Sequence, residues 1–221
     1  MNLLGIDTSS RNLSISAMRK GKIVIDFNRC MDHGASRLVP YLEEKLKSKR
    51  MKLADFDAFV LGKGPGSFTG LRISYSIIKA FVLTLDKPVI TIGSFASMAY
   101  SLRAKKKKIA VIVDARRDLI YAASFVSSGG VLRQEGRERL VTLSDYIAKK
   151  REYCFVTYDE HLRQPAQGMP GTIEFYPKIV WPRASFLLEI AVDYYTKKLF
   201  TPIERLEPLY LHPKTCQIRR P

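Results

Sequence analysis

Gly64-Pro65-Gly66-Ser67-Phe68-Thr69-Gly70-Leu71-Arg72-Ile73 lies between an apolar run, Ala58 to Leu61, and a strongly apolar segment that continues to Leu85. The run before it reads as a strand and the segment after it as a helix, so the stretch is a strand-to-helix turn. Three glycines and a proline suit a sharp turn of low bulk, where another backbone or a phosphate can come close. Ser67 or Thr69 is placed to cap the free amides of the helix, and Arg72 falls in its first turn. A helix N-terminus carries partial positive charge, so an anion site is one reading. A turn that only packs strand against helix is the other. Generic phosphate motifs do not decide between them. The third glycine comes one residue late for Gly-x-Gly-x-x-Gly, and no Lys-Ser/Thr follows to make a P-loop. Ser67 lacks the glycine spacing of a nucleophile elbow.

At 221 residues the chain is one large domain or two small ones, long enough to bury a core. Its 46% hydrophobic and 10% aromatic content fits an ordinary globular protein rather than a disordered or fibrous one. Met1 to Ile6 is apolar but meets Asp7 at once, with no basic leader, and reads as a strand rather than a signal peptide. The most apolar window, Ile73 to Leu85, is interrupted by Lys79 and ends at Asp86-Lys87-Pro88, which reads as too short for a bilayer. Cys30, Cys154 and Cys216 are isolated and odd in number, which argues against a disulfide framework or a zinc site and for a cytoplasmic location. Net charge is +16, with clusters at Lys45 to Lys52, Arg103 to Lys108, Lys149 to Arg151 and Arg219-Arg220. That balance favours an acidic partner, nucleic acid being the commonest, with Lys105 to Lys108 as the contact to test. A solvated basic surface is the alternative.

One supersecondary plan is stated twice. A strand (Asn2 to Ile6), a polar turn and two alternating strands (Leu13 to Met18, Lys22 to Phe27) lead to a helix that Ser36 would cap. Leu38, Val39, Leu42 and Leu46 share one face of that helix; the Ala58 strand, the glycine turn, the apolar helix, a strand (Val89 to Ile92) and a helix (Ser94 to Leu102) follow. The second statement runs Ile109 to Val113, Leu119 to Val126 and Val131 to Gln134, then a helix capped by Thr142 or Ser144. After a strand (Tyr153 to Thr157) comes a Pro/Gly-rich loop, Gln164 to Gly171, and a long helix, Arg183 to Phe200, with Pro182 in its first turn. The break is expected at residue 104, giving lobes 1–104 and 105–211 and a basic tail, 212–221. Asp7-Thr8-Ser9 and Asp114-Ala115-Arg116 hold equivalent places at the ends of the two first strands. Aspartate is also an ordinary turn-former there.

This plan resembles the actin-like ATPase (ASKHA, sugar kinase/Hsp70) superfamily, an α/β fold of two lobes, here with the second lobe reduced. The resemblance implies that the two hairpins face a nucleotide cleft, here degenerate and short of a complete ATP site, with Asp7, Thr8, Ser9, Asp114 and Arg116 as its residues. As a whole string, GPGSFTGLRI resembles the signature of the TsaB (YeaZ) family, subunits of the bacterial machinery that makes threonylcarbamoyladenosine on tRNA. Gly5-Ile6-Asp7-Thr8-Ser9, His33 ahead of Leu38-Val39-Pro40, Asp114-Ala115-Arg116-Arg117 with Tyr121, Pro182-Arg183-Ala184 and Pro208-Leu209-Tyr210-Leu211 resemble its other landmarks. Ser74 stands where glycine is common, and His212 where arginine is usual.

The catalytic relative, TsaD, carries two histidines four apart that bind metal. His33, His161 and His212 are far apart here, so that pair cannot form, and neither a metal nor an intrinsic cofactor is expected. The resemblance therefore implies a non-catalytic subunit that binds a TsaD-type catalytic subunit, together with a TsaE-type ATPase and, through the complex, tRNA. A nucleotide held only within the assembly and a homodimer of the isolated chain are both compatible with it. The alternative is a small actin-like ATPase or kinase using Asp7 and Asp114. A peptidase is the weakest reading, since Cys30 near His33 is the only thiol–imidazole neighbour pair and no His-Glu-x-x-His occurs.

The helix after the glycine turn carries a stripe, Leu71, Tyr75, Ile78, Val82 and Leu85, suited to packing on a sheet. Phe68, Ile73, Ile77 and Phe81 extend apolar surface around it, which either neighbours within the chain or a partner would cover. The resemblance implies that this helix and the Ser36 to Arg50 helix form a bundle with a partner, with Gly64, Pro65, Gly66, Ser67, Phe68, Thr69, Gly70, Arg72, Ser74, Ile77 and Phe81 at the interface. Ser74 and Ala80 would allow close approach and Ile77 would face outward.

Overall fold

The computed structural model describes residues 1–167 and 172–212. They fall into two compact units, residues 1–102 with 180–208, and residues 103–167 and 172–179 with 209–212. In the first unit, β1 (Leu3–Asp7), β2 (Asn12–Arg19) and β3 (Lys22–Cys30) form an antiparallel meander. After α1 (Leu38–Ser48), β4 (Ala58–Gly62) adds parallel to β1. After α2 (Phe68–Leu85), β5 (Val89–Ile92) adds parallel to β4 and leads into α3 (Ser94–Tyr100). The order is β3-β2-β1-β4-β5. β1 and β4 are buried along their whole length, which is why they read as unbroken apolar runs. Leu4, Ile6, Phe59 and Leu61 point to one face, where Leu38, Leu42 and Leu46 of α1 and Leu71, Tyr75 and Ile78 of α2 cover them.

Ser36 does not cap α1. A 3-10 turn, Gly34–Arg37, precedes the helix, and the Ser36 hydroxyl donates to the His33 carbonyl inside that turn at 2.7 Å. Val39 is 49% exposed, because only the i, i+4 row Leu38, Leu42, Leu46 meets the sheet. α2 is longer than the apolar window suggests. At 18 residues it is, among the described residues, the helix long and apolar enough to cross a bilayer by length and composition alone. In this fold it is the crossover between two parallel strands, with one side packed on the sheet.

In the second unit, β6 (Lys108–Arg116), β7 (Leu119–Ser128) and β8 (Val131–Thr142) are antiparallel. α4 (Leu143–Lys149) follows, and β9 (Cys154–Val156) pairs parallel with β6, giving the order β8-β7-β6-β9. The Thr142 hydroxyl accepts from the Asp145 N–H at 3.2 Å and caps α4, as expected of one of its two candidates. β8 does not stop at Gln134. It pairs with β7 as far as Thr142, through a register shift opposite Ala122 to Ser124, although Arg137 and Arg139 leave no apolar alternation to read. Part of the expected loop is helical: α5 spans Arg163–Gln167, and residues 168–171 lie outside the described residues.

The last helix corrects the lobe assignment. α6 (Ala184–Thr196) belongs to the first unit, not to a lobe spanning 105–211. Its Leu187, Leu188 and Ala191 cover the other face of the first sheet, against Leu3, Val60 and Ile90. A Cβ on Gly5 would sit 2.9 Å from Leu188 Cδ2 and 3.1 Å from the Ala184 carbonyl, so the bare glycine lets the helix rest on the strand. Pro182 lies before the N-cap, Arg183, rather than in the first turn, and its carbonyl accepts from Asn12 Nδ2 at 3.0 Å. Two amides at this helix start find hydroxyls: Ala184 N–H donates to Ser14 at 2.7 Å and Arg183 N–H to Ser97 at 3.2 Å. Of the basic tail only His212 is described, its ring 3.1 Å from the Ala115 carbonyl; Cys216 and Arg219-Arg220 lie outside the described residues.

Candidate functional site

Asp7 is fully buried. One carboxylate oxygen accepts the Ser9 N–H at 2.9 Å and the Ser9 hydroxyl at 2.6 Å; the other accepts the Ser94 hydroxyl at 2.7 Å. Ser94 accepts in turn from the Gly64 N–H at 3.1 Å. Burial pushes the Asp7 carboxyl above its usual range, and the Ser9 and Ser94 hydrogen bonds oppose that. The aspartate thereby ties the end of β1 to the glycine turn and to the start of α3.

The glycine turn admits a backbone. A Cβ on Gly66 would overlap the Ser9 carbonyl, and one on Gly70 would overlap the Thr8 carbonyl. Gly66, at φ 156°, places the Ser67 N–H 2.7 Å from that Ser9 carbonyl. The Thr8 hydroxyl donates to the Gly70 carbonyl at 2.8 Å or to the Ser74 hydroxyl at 2.7 Å. Ser67 caps α2, accepting from the Gly70 N–H at 3.2 Å. Of the two readings of this turn, the packing one describes what occupies the space: the chain segment Thr8-Ser9.

Burial also sorts the expected interface residues. Gly64, Pro65, Gly70 and Ser74 are buried within the chain, so the small side chain of Ser74 admits Thr8 and not a partner. Ile77 and Phe81 are half-buried and pack on the first core, which corrects the outward placement of Ile77. Ser67, Phe68, Thr69 and Arg72 are exposed, with the Arg72 guanidinium 3.9 Å from the centre of the Phe68 ring. The outward row of α2 continues through Ser76, Ala80 and Leu83, and Leu83 is 68% exposed. A groove of about 650 Å³ opens between α1 and Phe81 of α2, lined by Val39, Leu42, Leu46, Met51 and Phe81, with Lys47 and Arg50 also along it. Sequence reasoning missed Leu83 and this groove. The signal was present: Ser76, Ala80 and Leu83 lie opposite Leu71, Tyr75 and Ile78 at helical spacing.

Asp114 repeats the local geometry of Asp7. Its carboxylate accepts the N–H two residues on, from Arg116, at 2.8 Å, as Asp7 does from Ser9. Its surroundings differ. The Asp114 side chain is 37% exposed and stands 3.6 Å from His161 Nε2, a residue the sequence did not single out. Asp159 accepts the Asp114 N–H at 2.8 Å; burial, with the Asp114 charge, raises the Asp159 carboxyl, and the Asp114 N–H and His161 lower it. Arg116, Arg117 and Asp118 take left-handed φ values of 65°, 53° and 59° at the hairpin tip. Among the described residues no three His, Cys, Asp or Glu side chains converge on a metal-sized site.

A sheet of three antiparallel strands with two strands added parallel, a buried aspartate turn at the end of its first strand and a second sheet of like order define an actin-like α/β protein of the TsaD type. Residues 29–175 match the family model described as TsaD, tRNA N6-adenosine threonylcarbamoyltransferase. The chain belongs, within that group, to the TsaB (YeaZ) family. It is 30% identical over 181 residues to the tRNA threonylcarbamoyladenosine biosynthesis protein TsaB of Bacillus subtilis, covering 79% of each chain. It is 26% identical over 220 residues to TsaB of Escherichia coli, covering 96% of this chain and 94% of that one. YeaZ from Pseudomonas aeruginosa shares the fold at a TM-score of 0.83 and 23% identity, over 95% of this chain and 99% of that one.

Proposed function

We propose that the chain is a non-catalytic accessory subunit of tRNA N6-threonylcarbamoyladenosine formation, working in the cytoplasm by binding and supporting a TsaD-type catalytic subunit. The observation that carries the reading is the outward side of α2. Phe68 and Leu83 are 46% and 68% exposed on that helix, and Val39 of α1, 49% exposed, lines an apolar groove. A partner helix laid there would gain about 1.5–3 kcal/mol for each large apolar side chain fully covered. The engaged, fully buried Asp7 supports a turn kept for folding rather than for phosphate chemistry. The shared strand order of the two sheets supports a duplicated actin-like plan with a reduced second half. A TsaE-type ATPase and tRNA join through the assembly, and the isolated chain pairs with itself through the same face. No membrane takes part.

The test uses Ala80→Glu/Leu83→Glu, both outward on α2. The folded variant should lose capture of the TsaD-type subunit and its stimulation of adenosine modification. Undiminished capture and stimulation would refute the interface. ATP turnover by the isolated wild-type chain, lost in Asp114→Asn, would overturn the non-catalytic reading.

A further inference from the structure

Positive charge concentrates in the second unit, where the run from Arg103 into β6 walls a groove of about 640 Å³ against the β7–β8 hairpin. Arg103 and Lys105 to Lys108 line it, and among the described residues no carboxylate does. Among the described residues the acidic neighbours engage alternate lysines: Lys106 pairs with Glu174, and Lys108 with Glu152 at 2.6 Å. Lys105 and Lys107 are exposed and, among the described residues, have no acidic partner. Their backbone is held in place. The Ser127 N–H donates to the Lys107 carbonyl at 2.8 Å, and the Ser127 hydroxyl to the Arg103 carbonyl at 2.6 Å. Two unpaired ammonium groups on a pinned, concave wall face an anion that enters a groove. A phosphodiester strand has that shape, whereas a lipid surface meets a flat or convex face.

We infer that this groove binds the phosphate backbone of RNA through Lys105 and Lys107. The choice of RNA as the polyanion rests on the functional reading above. Phosphate contacts release counterions, so affinity falls with salt in proportion to the number of contacts. The test measures binding of the full-length chain to a tRNA transcript by fluorescence anisotropy, from about 50 to 200 mM salt. Lys105→Gln/Lys107→Gln should lower the slope of log affinity against log salt by about two. The rise in salt then weakens the wild type about tenfold more than the variant. Lys20→Gln/Lys22→Gln, the same charge change on the exposed β2–β3 turn, should keep the wild-type slope.

An equal change in both pairs, or none in either, overturns the proposal. So does loss of binding to phosphatidylserine vesicles with the RNA slope unaltered. Stimulation of a TsaD-type subunit is read separately. Its absence, with the slope change intact, overturns the functional reading and keeps the groove; its presence with an unaltered slope does the reverse.

Discussion

Gly70→Ala sets two effects of opposite sign against each other. Helix propensity alone favours alanine inside α2 by about 1 kcal/mol. The structure opposes it, because the new methyl would overlap the Thr8 carbonyl, and its other near neighbours are Ser67 Oγ at 3.1 Å and Ser67 Cβ at 3.3 Å. Thr8 is buried backbone at the end of β1 and cannot swing aside as a side-chain tip can. Relieving the overlap moves the start of α2 off the turn, at the cost of overpacking strain of about 1–3 kcal/mol. The same movement loosens the Thr8 hydroxyl's bond to Gly70 and the Ser67 N–H bond to Ser9, at 2.8 and 2.7 Å, each worth about 1 kcal/mol. Packing wins, and the variant should be destabilised by about 2–4 kcal/mol net of propensity. Urea unfolding followed by circular dichroism reads this as a lower midpoint at unchanged slope. Ser76→Ala, on the exposed side of the same helix, should stay within about 0.5 kcal/mol of the wild type. A Gly70→Ala protein as stable as the wild type, or more so, would refute the close approach of Thr8 as the reason for the glycine.

Asp7→Asn tests the buried carboxylate. The folded state holds this proton more tightly than the unfolded one, so stability lent by Asp7 is full below its ordinary value of 3.8 and is lost as pH rises through its raised folded value. The stability difference between variant and wild type should therefore move in the variant's favour across that window and then level off; a difference constant with pH would contradict it. Ile77→Glu should destabilise the isolated chain by about 2–3 kcal/mol, since the side chain packs on the first core, while Leu83→Glu should leave stability within about 0.5 kcal/mol. Equal thermal shifts for the two would show that the sides of α2 are misassigned. Burial pushes the Cys154 thiol up to about 11, so a Cys30→Ser/Cys216→Ser protein should not react with an aromatic disulfide reagent at pH 8 until it is unfolded. Prompt reaction of the native protein would contradict it.

Local chemistry was legible because its signals act within a few residues. Ser67 and Thr142 cap the helices that follow them, Asp7 and Asp114 turn the chain by accepting the amide two residues on, and the Ala58 run is a strand leading into α2. The long string around the glycines pointed to the family. What lies near in space but far along the chain was not legible. The close neighbour that Gly66 and Gly70 admit is the backbone of Ser9 and Thr8, more than fifty residues away, and glycine alone does not distinguish a carbonyl from a phosphate. Ser74 and Ile77 face inward because α2 meets both the β1 turn and the sheet; an apolar stripe fixes one contact line but not how far burial extends around the helix. β8 continues as polar edge strand because β7 supplies its hydrogen bonds, which leave no mark on hydropathy. α6 returns to the first sheet because Gly5 and the hydroxyls of Ser14 and Ser97 receive it there. That choice depends on which exposed face needs cover, and only the assembled structure decides it.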